Sequence, residues 1–188
     1  MSVGLLVLYT GEVLQGDIQR QIGDQQASTT AVVAKGIDDE LTSRVYALEQ
    51  YAKGRIATAM LGDPVALQER LEGSPAILSL FSGGIFVTGA DGVAIASVPA
   101  SLGRAGVSYL ERDAVVAALR EGRSSIGKPV IGMRLGSPVL TIAVPKRDDH
   151  GNVIGALAGV TDLGKPGFLD KIAQSSYGRS GGYLLVAP

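Results

Sequence analysis

The chain has 188 residues, of which 46% are hydrophobic, and a mean hydropathy of +0.26, enough to build one domain or slightly more. Its net charge is -1 and it has no tryptophan, which argues against a nucleic-acid partner because such binding needs clustered cations or base-stacking platforms. It has no cysteine and a single histidine, His150, which excludes thiol nucleophiles, disulfides and metal sites built from several Cys or His ligands. We therefore expect no catalytic residues, no metal and no cofactor.

Residues 1–11 begin with the apolar run Met1–Thr10. The run is shorter than the ~20 residues that a spanning helix needs. It also lacks the basic start and the small-residue cleavage site of a signal peptide. It is either a helix end that packs on another element or the trailing end of a membrane helix. We favour the second interpretation.

A long helix is predicted over Glu12–Ala59, within a signalling segment assigned to residues 12–61. The stretch contains no proline, and its apolar residues recur at steps of three and four, which is typical of a coiled coil or of a helix that covers a sheet. Such a helix would span about 70 Å, so we expect part of it to project or to pair with a second copy of the chain. The apolar stripe consists of Ala34, Ile37, Leu41, Val45, Leu48 and Ala52.

Two short helices are predicted next, at Asp63-Pro64 and at Ser74-Pro75. Each start combines a residue that caps helix N-termini with a proline, which fits the first helical position. From Gly84 the hydrophobic period becomes two, the period of a half-buried strand. The turn Ala90–Gly92 joins the first two strands, since Asp-Gly is a strong hairpin signal.

The remaining predicted elements are a helix and three strands. Together with the hairpin they give an α+β fold in which the long N-terminal helix packs on a five-stranded antiparallel sheet with a helical cover. Gly155 and Gly159 in the last strand indicate that another backbone approaches closely. Residues 166–188 are assigned to a linking helix and the first strand of a second module. The helix is Asp113–Arg120, stopped by Gly122, and the strands are Val130–Leu135, Val139–Val144 and Val153–Thr161.

Five motifs follow one another along the chain: Gly84–Thr88 with Asp91-Gly92, Ser108–Asp113, Pro138–Pro145, Gly151–Gly155 with Asp162-Leu163, and Gly178–Val186. Their order and spacing resemble the membrane-distal half of a double Cache sensor domain, a PAS-like extracytoplasmic module of bacterial receptors. The Gln-rich leading helix and the closing motif are most similar to sensors attached to diguanylate cyclases, and histidine kinases and chemoreceptors share the module. The resemblance implies that residues 62–165 are the sensor module, in the periplasmic or extracellular part of an inner-membrane protein.

The resemblance also implies a ligand pocket lined by Tyr109 and Arg112, beside Asp113, and by Asp162 at the end of the last strand. A guanidinium binds a carboxylate through two parallel hydrogen bonds. A protein carboxylate on the opposite side of the pocket can bind an amine or a hydroxyl of the ligand. The alternative is structural: Arg112 pairs with Asp113 or Glu111 at the helix start, and Asp162 caps the turn after its strand.

Alternation along one strand adds Thr141 to the expected pocket. Thr141 and Ala143 share one face, while the apolar residues on the other face are expected to meet the long helix. A buried Thr141 bonded to backbone is the alternative. The apolar set is Leu140, Ile142 and Val144.

The ligand class is narrowed by a departure from the resembling family. Members that bind amino acids carry aromatic residues two and three positions after the arginine, where this chain has Ala114 and Val115. We therefore expect a different small polar ligand, such as a carboxylate.

The predicted function is small-molecule sensing, with the signal passed through the long helix to an output domain. The predicted partners are a second copy of the chain, bound through the N-terminal helix, and the membrane, reached through flanking helices. The alternative is a structural dimerisation module without a ligand. A hydrolase that uses Ser108 or Ser137 is disfavoured, because the one histidine lies in a polar turn.

Overall fold

The computed structural model describes residues 31–166. The chain divides into two compact units, residues 1–40 and residues 41–188. In the described part of the first unit, residues 31–40 are helical. The predicted membrane-helix end, the start of the long helix, the linking helix, the motif at 178–186 and the closing strand lie outside the described residues. Over residues 31–166, no helix has the combined length and apolar content that crossing a bilayer requires.

The second unit opens with a helix over residues 41–54, called α1. It ends before the predicted Ala59, at Gly54, a residue with poor helix propensity. A separate 3-10 helix follows at Thr58–Gly62. Within α1, Leu48 and Ala52 are buried in a core against the sheet, so this part of the apolar stripe covers the sheet.

Helices α2 (Pro64–Glu72) and α3 (Pro75–Leu78) start where the capping pattern predicts. The Asp63 carboxylate accepts hydrogen bonds from the backbone N–H groups of Val65 and Ala66, at 3.2 and 3.1 Å. Ser74 does not cap α3 with its side chain, and instead its hydroxyl donates to the Arg70 carbonyl, 2.8 Å away.

Six antiparallel strands form one sheet in the order β2-β1-β6-β5-β3, with β4 also paired to β5. The predicted hairpin is present, and so are the two long strands, of which β5 extends further than predicted. The strand predicted over Val130–Leu135 is only two residues long, and β3 was not predicted. The strands are β1 Ile85–Gly89, β2 Ala94–Val98, β3 Ser125–Ile126, β4 Val130–Ile131, β5 Pro138–Arg147 and β6 Val153–Asp162.

The sheet separates two hydrophobic cores. One core joins α1, α2 and α3 to the first face and contains Phe81, Ile142 and Val144. The other core lies under helix α4 (Asp113–Val116) and contains Phe86 and Ala143. The predicted alternation along β5 is thus confirmed.

A π-helical turn, Ala117–Glu121, continues α4, and Gly122 ends it with a left-handed φ of 66°. This stop was predicted, because glycine adopts the left-handed conformation without a steric penalty. The segment between β2 and α4, residues 99–112, crosses the second face of the sheet before the helix begins and carries Arg104 and Tyr109 into its core.

Candidate functional site

A cleft opens on the second face of the sheet, between the strands and the segments that cover them. Its enclosed volume is only about 20 Å³, room for about one water molecule, so a ligand would need the covering segments to shift. The strands contribute Phe86, Val139, Thr141 and Val160, the covering segment Arg104, Tyr109 and Arg112, and the loop between β4 and β5 contributes Gly132, Met133, Arg134 and Leu135.

Arg104, Tyr109 and Thr141 are the most buried polar residues of the cleft, with 3%, 6% and 6% of their surfaces exposed. The Arg104 guanidinium donates one hydrogen bond, from Nη2 to the Gly83 carbonyl at 2.7 Å, and lies 5.6 Å from the centre of the Phe86 ring. The Tyr109 ring stacks on Phe86, with 4.3 Å between the ring centres. Within the described residues, Arg104 Nη1 and the Tyr109 hydroxyl make no hydrogen bond of good geometry, and the two side chains interact with each other through a weaker hydrogen bond.

The electrostatics of the cleft follow from this burial. Burial raises the pKa of the Tyr109 phenol, and the positive charges of Arg104, Arg134 and Arg112 oppose that rise. Burial lowers the pKa of Arg104, and Tyr109 opposes the change. Tyr109 is therefore neutral at physiological pH, and its hydroxyl shares a side-chain hydrogen bond with the Arg104 guanidinium.

Arg112 lies where the covering segment turns into α4, and its side chain is 12% exposed. Nη2 donates to the Ile131 carbonyl at 3.3 Å, and Nε is 3.4 Å from Glu111 Oε1. The sequence offered a ligand contact and an ion pair as alternatives for this residue. The structure shows the ion pair with Glu111 and places Arg112 in the lining of the cleft, and the ligand contact stays a prediction.

Of the other predicted site residues, Tyr109 and Thr141 line the cleft, whereas Asp113 and Asp162 do not. Asp113 accepts hydrogen bonds from the backbone N–H groups of Ala114 and Lys128. The Asp162 carboxylate accepts from the Ser137 hydroxyl at 2.8 Å and from the Gly164 N–H at 3.0 Å. Both carboxylates therefore hold covering segments in place, as the structural alternative predicted for Asp162.

Two arginines of the cleft were missed by sequence reasoning. Arg104 lies between the predicted hairpin and the predicted helix, where no element was predicted, and Arg134 lies where a strand was predicted. A signal for Arg104 was present: it is the one charged residue in the stretch Val93–Val107. A buried arginine needs a partner, so such a position is a candidate for function.

A second, wider cleft lies on the opposite side of β5, between α1, the segment after Gly122 and the β5–β6 turn. Its deepest cation is Lys146, which is 5% exposed and donates from Nζ to the Ala52 carbonyl at 3.0 Å. Burial lowers the pKa of Lys146, and Asp149 opposes the change. Because this ammonium is already bound to the end of α1, the first cleft is the stronger candidate site.

Comparisons with known proteins support the fold. No protein-family model matches the chain, and no curated protein matches it. Solved structures do match it. An extracellular ligand-binding receptor from Desulfohalobium retbaense is 14% identical with a TM-score of 0.64, over 78% of this chain and 26% of the receptor.

Two more of these structures are sensor domains of bacterial receptors. The ligand-binding domain of the Pseudomonas aeruginosa amino-acid chemoreceptor PctB, in complex with L-Arg, is 24% identical with a TM-score of 0.60, covering 75% of this chain and 57% of that one. The sensor domain of the V. cholerae histidine kinase DctB is 14% identical with a TM-score of 0.60, covering 74% of this chain and 55% of that one.

The chain thus spans between about a quarter and three fifths of the length of these structures. The chemoreceptor and kinase domains are Cache-type ligand-binding domains, and the long helix with its antiparallel sheet has their fold.

Proposed function

We propose that the chain is the small-molecule sensing module of a transmembrane receptor, on the periplasmic or extracellular side of an inner membrane. The observation that carries the proposal is the cleft on the second face of the sheet. It places Arg104, Tyr109 and Arg112 around one cavity, where Arg104 Nη1 and the Tyr109 hydroxyl make no hydrogen bond of good geometry. Poorly satisfied buried donors are costly to a protein, and a ligand that accepts from them removes part of that cost.

In this proposal Tyr109, Arg112 and Thr141 contact the ligand. Asp113 and Asp162 act indirectly: Asp113 holds the segment that starts at Lys128, and Asp162 holds the β4–β5 loop through Ser137. A ligand that draws the two sides of the cleft together changes the packing of the covering segments on the sheet. The long helix, packed on the opposite face of the same sheet, would pass this change on.

The output domain belongs to the proposal as well. Sensor domains of similar fold occur in a chemoreceptor and in a histidine kinase, and the sequence motifs most resemble those of diguanylate cyclases. We therefore expect one of these three output classes in the complete receptor. A carboxylate is the expected ligand class, because a guanidinium group binds a planar carboxylate through two parallel hydrogen bonds.

A thermal-shift screen of small carboxylates, amino acids, amines and sugars tests the proposal. A compound present at about 100 times its Kd adds about 2.7 kcal/mol to the free energy of unfolding, which corresponds to a rise in Tm of roughly 5–10 °C for a domain of this size. We expect at least one compound to give such a rise, and the Arg112→Gln variant to lose it. Arg120→Gln is the matched control, because Arg120 is exposed and does not line the cleft. If no compound raises Tm, a structural dimerisation module without a ligand replaces small-molecule sensing as the proposed function.

A further inference from the structure

A buried arginine of α1 attaches the helix to the first face of the sheet. Arg44 is 9% exposed, and its Nη1 donates to the Thr161 hydroxyl on β6 at 3.0 Å. The same guanidinium lies 5.8 Å from the centre of the Phe81 ring. Burying a guanidinium carries a desolvation cost that an apolar side chain at this position would not carry. Packing alone therefore does not require a charge here.

A second buried arginine, on the opposite face of the sheet, holds the same part of the chain. Arg104 donates from Nη2 to the Gly83 carbonyl at 2.7 Å. Residues Phe81–Gly83 form the α3–β1 connection, which leads from α3 into β1. A guanidinium on each face thus contacts the α3–β1 connection. Arg44 reaches it from α1, and Arg104 reaches it from the segment that covers the first cleft.

The α3–β1 connection is fixed to the end of β6. The Gly83 N–H donates to the Val160 carbonyl at 2.8 Å, and the Asp162 N–H donates to the Ser82 hydroxyl at 3.0 Å. A Cβ atom on Gly83 would lie only 2.8 Å from a Val160 methyl group, so the two backbones have no free space between them. Because closely packed interiors transmit displacements, we expect the connection and residues 160–162 to move as one unit.

Both covering parts of the first cleft are attached to this unit. Residues 99–112 are attached through Arg104, and the β4–β5 loop is attached through Ser137, whose hydroxyl donates to the Asp162 carboxylate at 2.8 Å. On the other face, the unit holds α1 through Thr161. A ligand in this narrow cleft requires the covering segments to shift, and such a shift acts on the same few residues that hold α1.

We propose that Arg44 is a positioning residue that couples the covering segments of the first cleft to α1 through Thr161 and Phe81. Loss of this contact would preserve the cleft but uncouple it from the helix. The use of the coupling in signalling rests on the proposed sensing function, whereas the coupling itself is a property of the chain without a ligand. If Arg44 is purely structural, disturbing its contact loosens only its own face of the sheet.

Amide hydrogen exchange, read by mass spectrometry, tests the coupling without a ligand. Thr161→Val exchanges the hydroxyl that Arg44 binds for a methyl group of similar size. We expect exchange to become roughly 3- to 10-fold faster in α1 and also in residues 99–112 on the opposite face, which corresponds to the loss of one buried hydrogen bond. Thr161→Ser keeps the hydroxyl and should retain most of the protection in both regions.

Two controls separate the coupling from general effects. Arg55→Met removes an exposed arginine just after α1 and should change exchange in neither region. Leu67→Ala creates a cavity in α2, which packs on β2, and shows what a general loss of stability does to both regions. If the effect of Thr161→Val is confined to α1, or if Leu67→Ala gives the same pattern at equal free energy of unfolding, the coupling is excluded.

The reverse disturbance starts from the cleft. Arg104→Met removes the hydrogen bond to Gly83 and should speed exchange in α1, because coupling between two sites is reciprocal. If Arg104→Met does not fold, Ser82→Ala replaces it, since this substitution removes the hydroxyl that accepts from Asp162. Unchanged exchange in α1 of the folded variant overturns the proposal.

A compound found by the thermal-shift screen tests the use of the coupling in signalling. Thr161→Val should bind the compound with a Kd within about threefold of the wild-type value. The compound should change exchange in α1 of the wild type and not in α1 of this variant. An equal response of α1 in both proteins, or none in the wild type, overturns the role of Arg44. If no compound binds, sensing fails, while the exchange experiment without a ligand still decides whether the coupling exists.

Discussion

Buried cations have different hydrogen-bond partners on the two sides of β5. In the first cleft, Arg104 donates to the Gly83 carbonyl and interacts with Tyr109, whereas in the second cleft the Lys146 ammonium donates to the Ala52 carbonyl in the last turn of α1. The final carbonyls of a helix lack N–H donors within the helix, and they carry the negative end of its dipole. Lys146 thus stabilises the junction between α1 and the sheet, at the cost of burying a charge.

Because burial disfavours the charged form of Lys146, we predict that the free energy of unfolding depends on pH. Burial lowers the pKa of Lys146 in the folded state below the unfolded value of about 10.4. Between those two values the unfolded state binds more protons, so the free energy of unfolding contributed by Lys146 rises as pH increases toward about 10.4. We expect the stability of the wild type, relative to Lys146→Met, to increase over this window in denaturant titrations.

The control for this titration is Lys53→Met. Lys53 lies on α1 in the same cleft but is exposed, so its removal takes away an equal charge without relieving burial. A stability difference between the wild type and Lys146→Met that stays constant as the pH is raised would contradict the assignment of the shift to Lys146.

At the level of elements, β6 depends on two glycines to fit between its neighbours. A Cβ atom on Gly155 would collide with the Thr88 carbonyl oxygen of β1, and one on Gly159 would collide with the Phe81 ring. The sequence predicted a close backbone approach at both positions. It is confirmed at Gly155, whereas at Gly159 the neighbour is a side chain.

Gly155→Ala should therefore destabilise the fold. Because the colliding atom is a backbone oxygen within a paired strand, it has little freedom to move, and overpacking of this kind typically costs about 1–3 kcal/mol. Chemical denaturation would measure the change in the free energy of unfolding. In the matched control, Gly62→Ala, the added Cβ meets nothing within 4 Å, so stability should change little. Equal effects of the two substitutions would contradict the packing argument.

Helices, turns and strands that are specified by a few neighbouring residues could be predicted from the sequence. Short strands that form only by pairing with a distant strand could not. The Asp63 cap, the Asp91-Gly92 turn, the Gly122 stop and the alternation along β5 are each encoded within a few residues. Strands β3 and β4 have two residues each and exist because β5 offers a free edge. In the site, the motif around Arg112 was predictable from the sequence. Arg104 reaches the cleft only through the path of residues 99–112, and the hydrophobic pattern of that segment does not predict its path.

At the scale of the whole molecule, the structure narrows how two copies could pair through the N-terminal helix. The apolar residues of α1, from Leu41 to Ala52, pack toward the sheet core and are not available to a partner. The opposite face of α1 is polar apart from Tyr46, which is 62% exposed. A dimer that uses α1 must therefore bury Tyr46, because aromatic residues supply much of the binding energy of protein interfaces.

Sedimentation equilibrium over a wide range of protein concentrations tests this expectation. We expect a concentration-dependent dimer, and at least tenfold weaker association of Tyr46→Glu, because placing a charge in an apolar contact carries a desolvation penalty worth more than about 1.4 kcal/mol. Val65→Glu is the matched control: Val65 is equally exposed, at 69%, but lies on α2, so its substitution should leave association unchanged. A wild type that remains monomeric at all concentrations would contradict dimerisation of the chain, and a Tyr46→Glu variant that associates as tightly as the wild type would exclude α1 as the dimer contact.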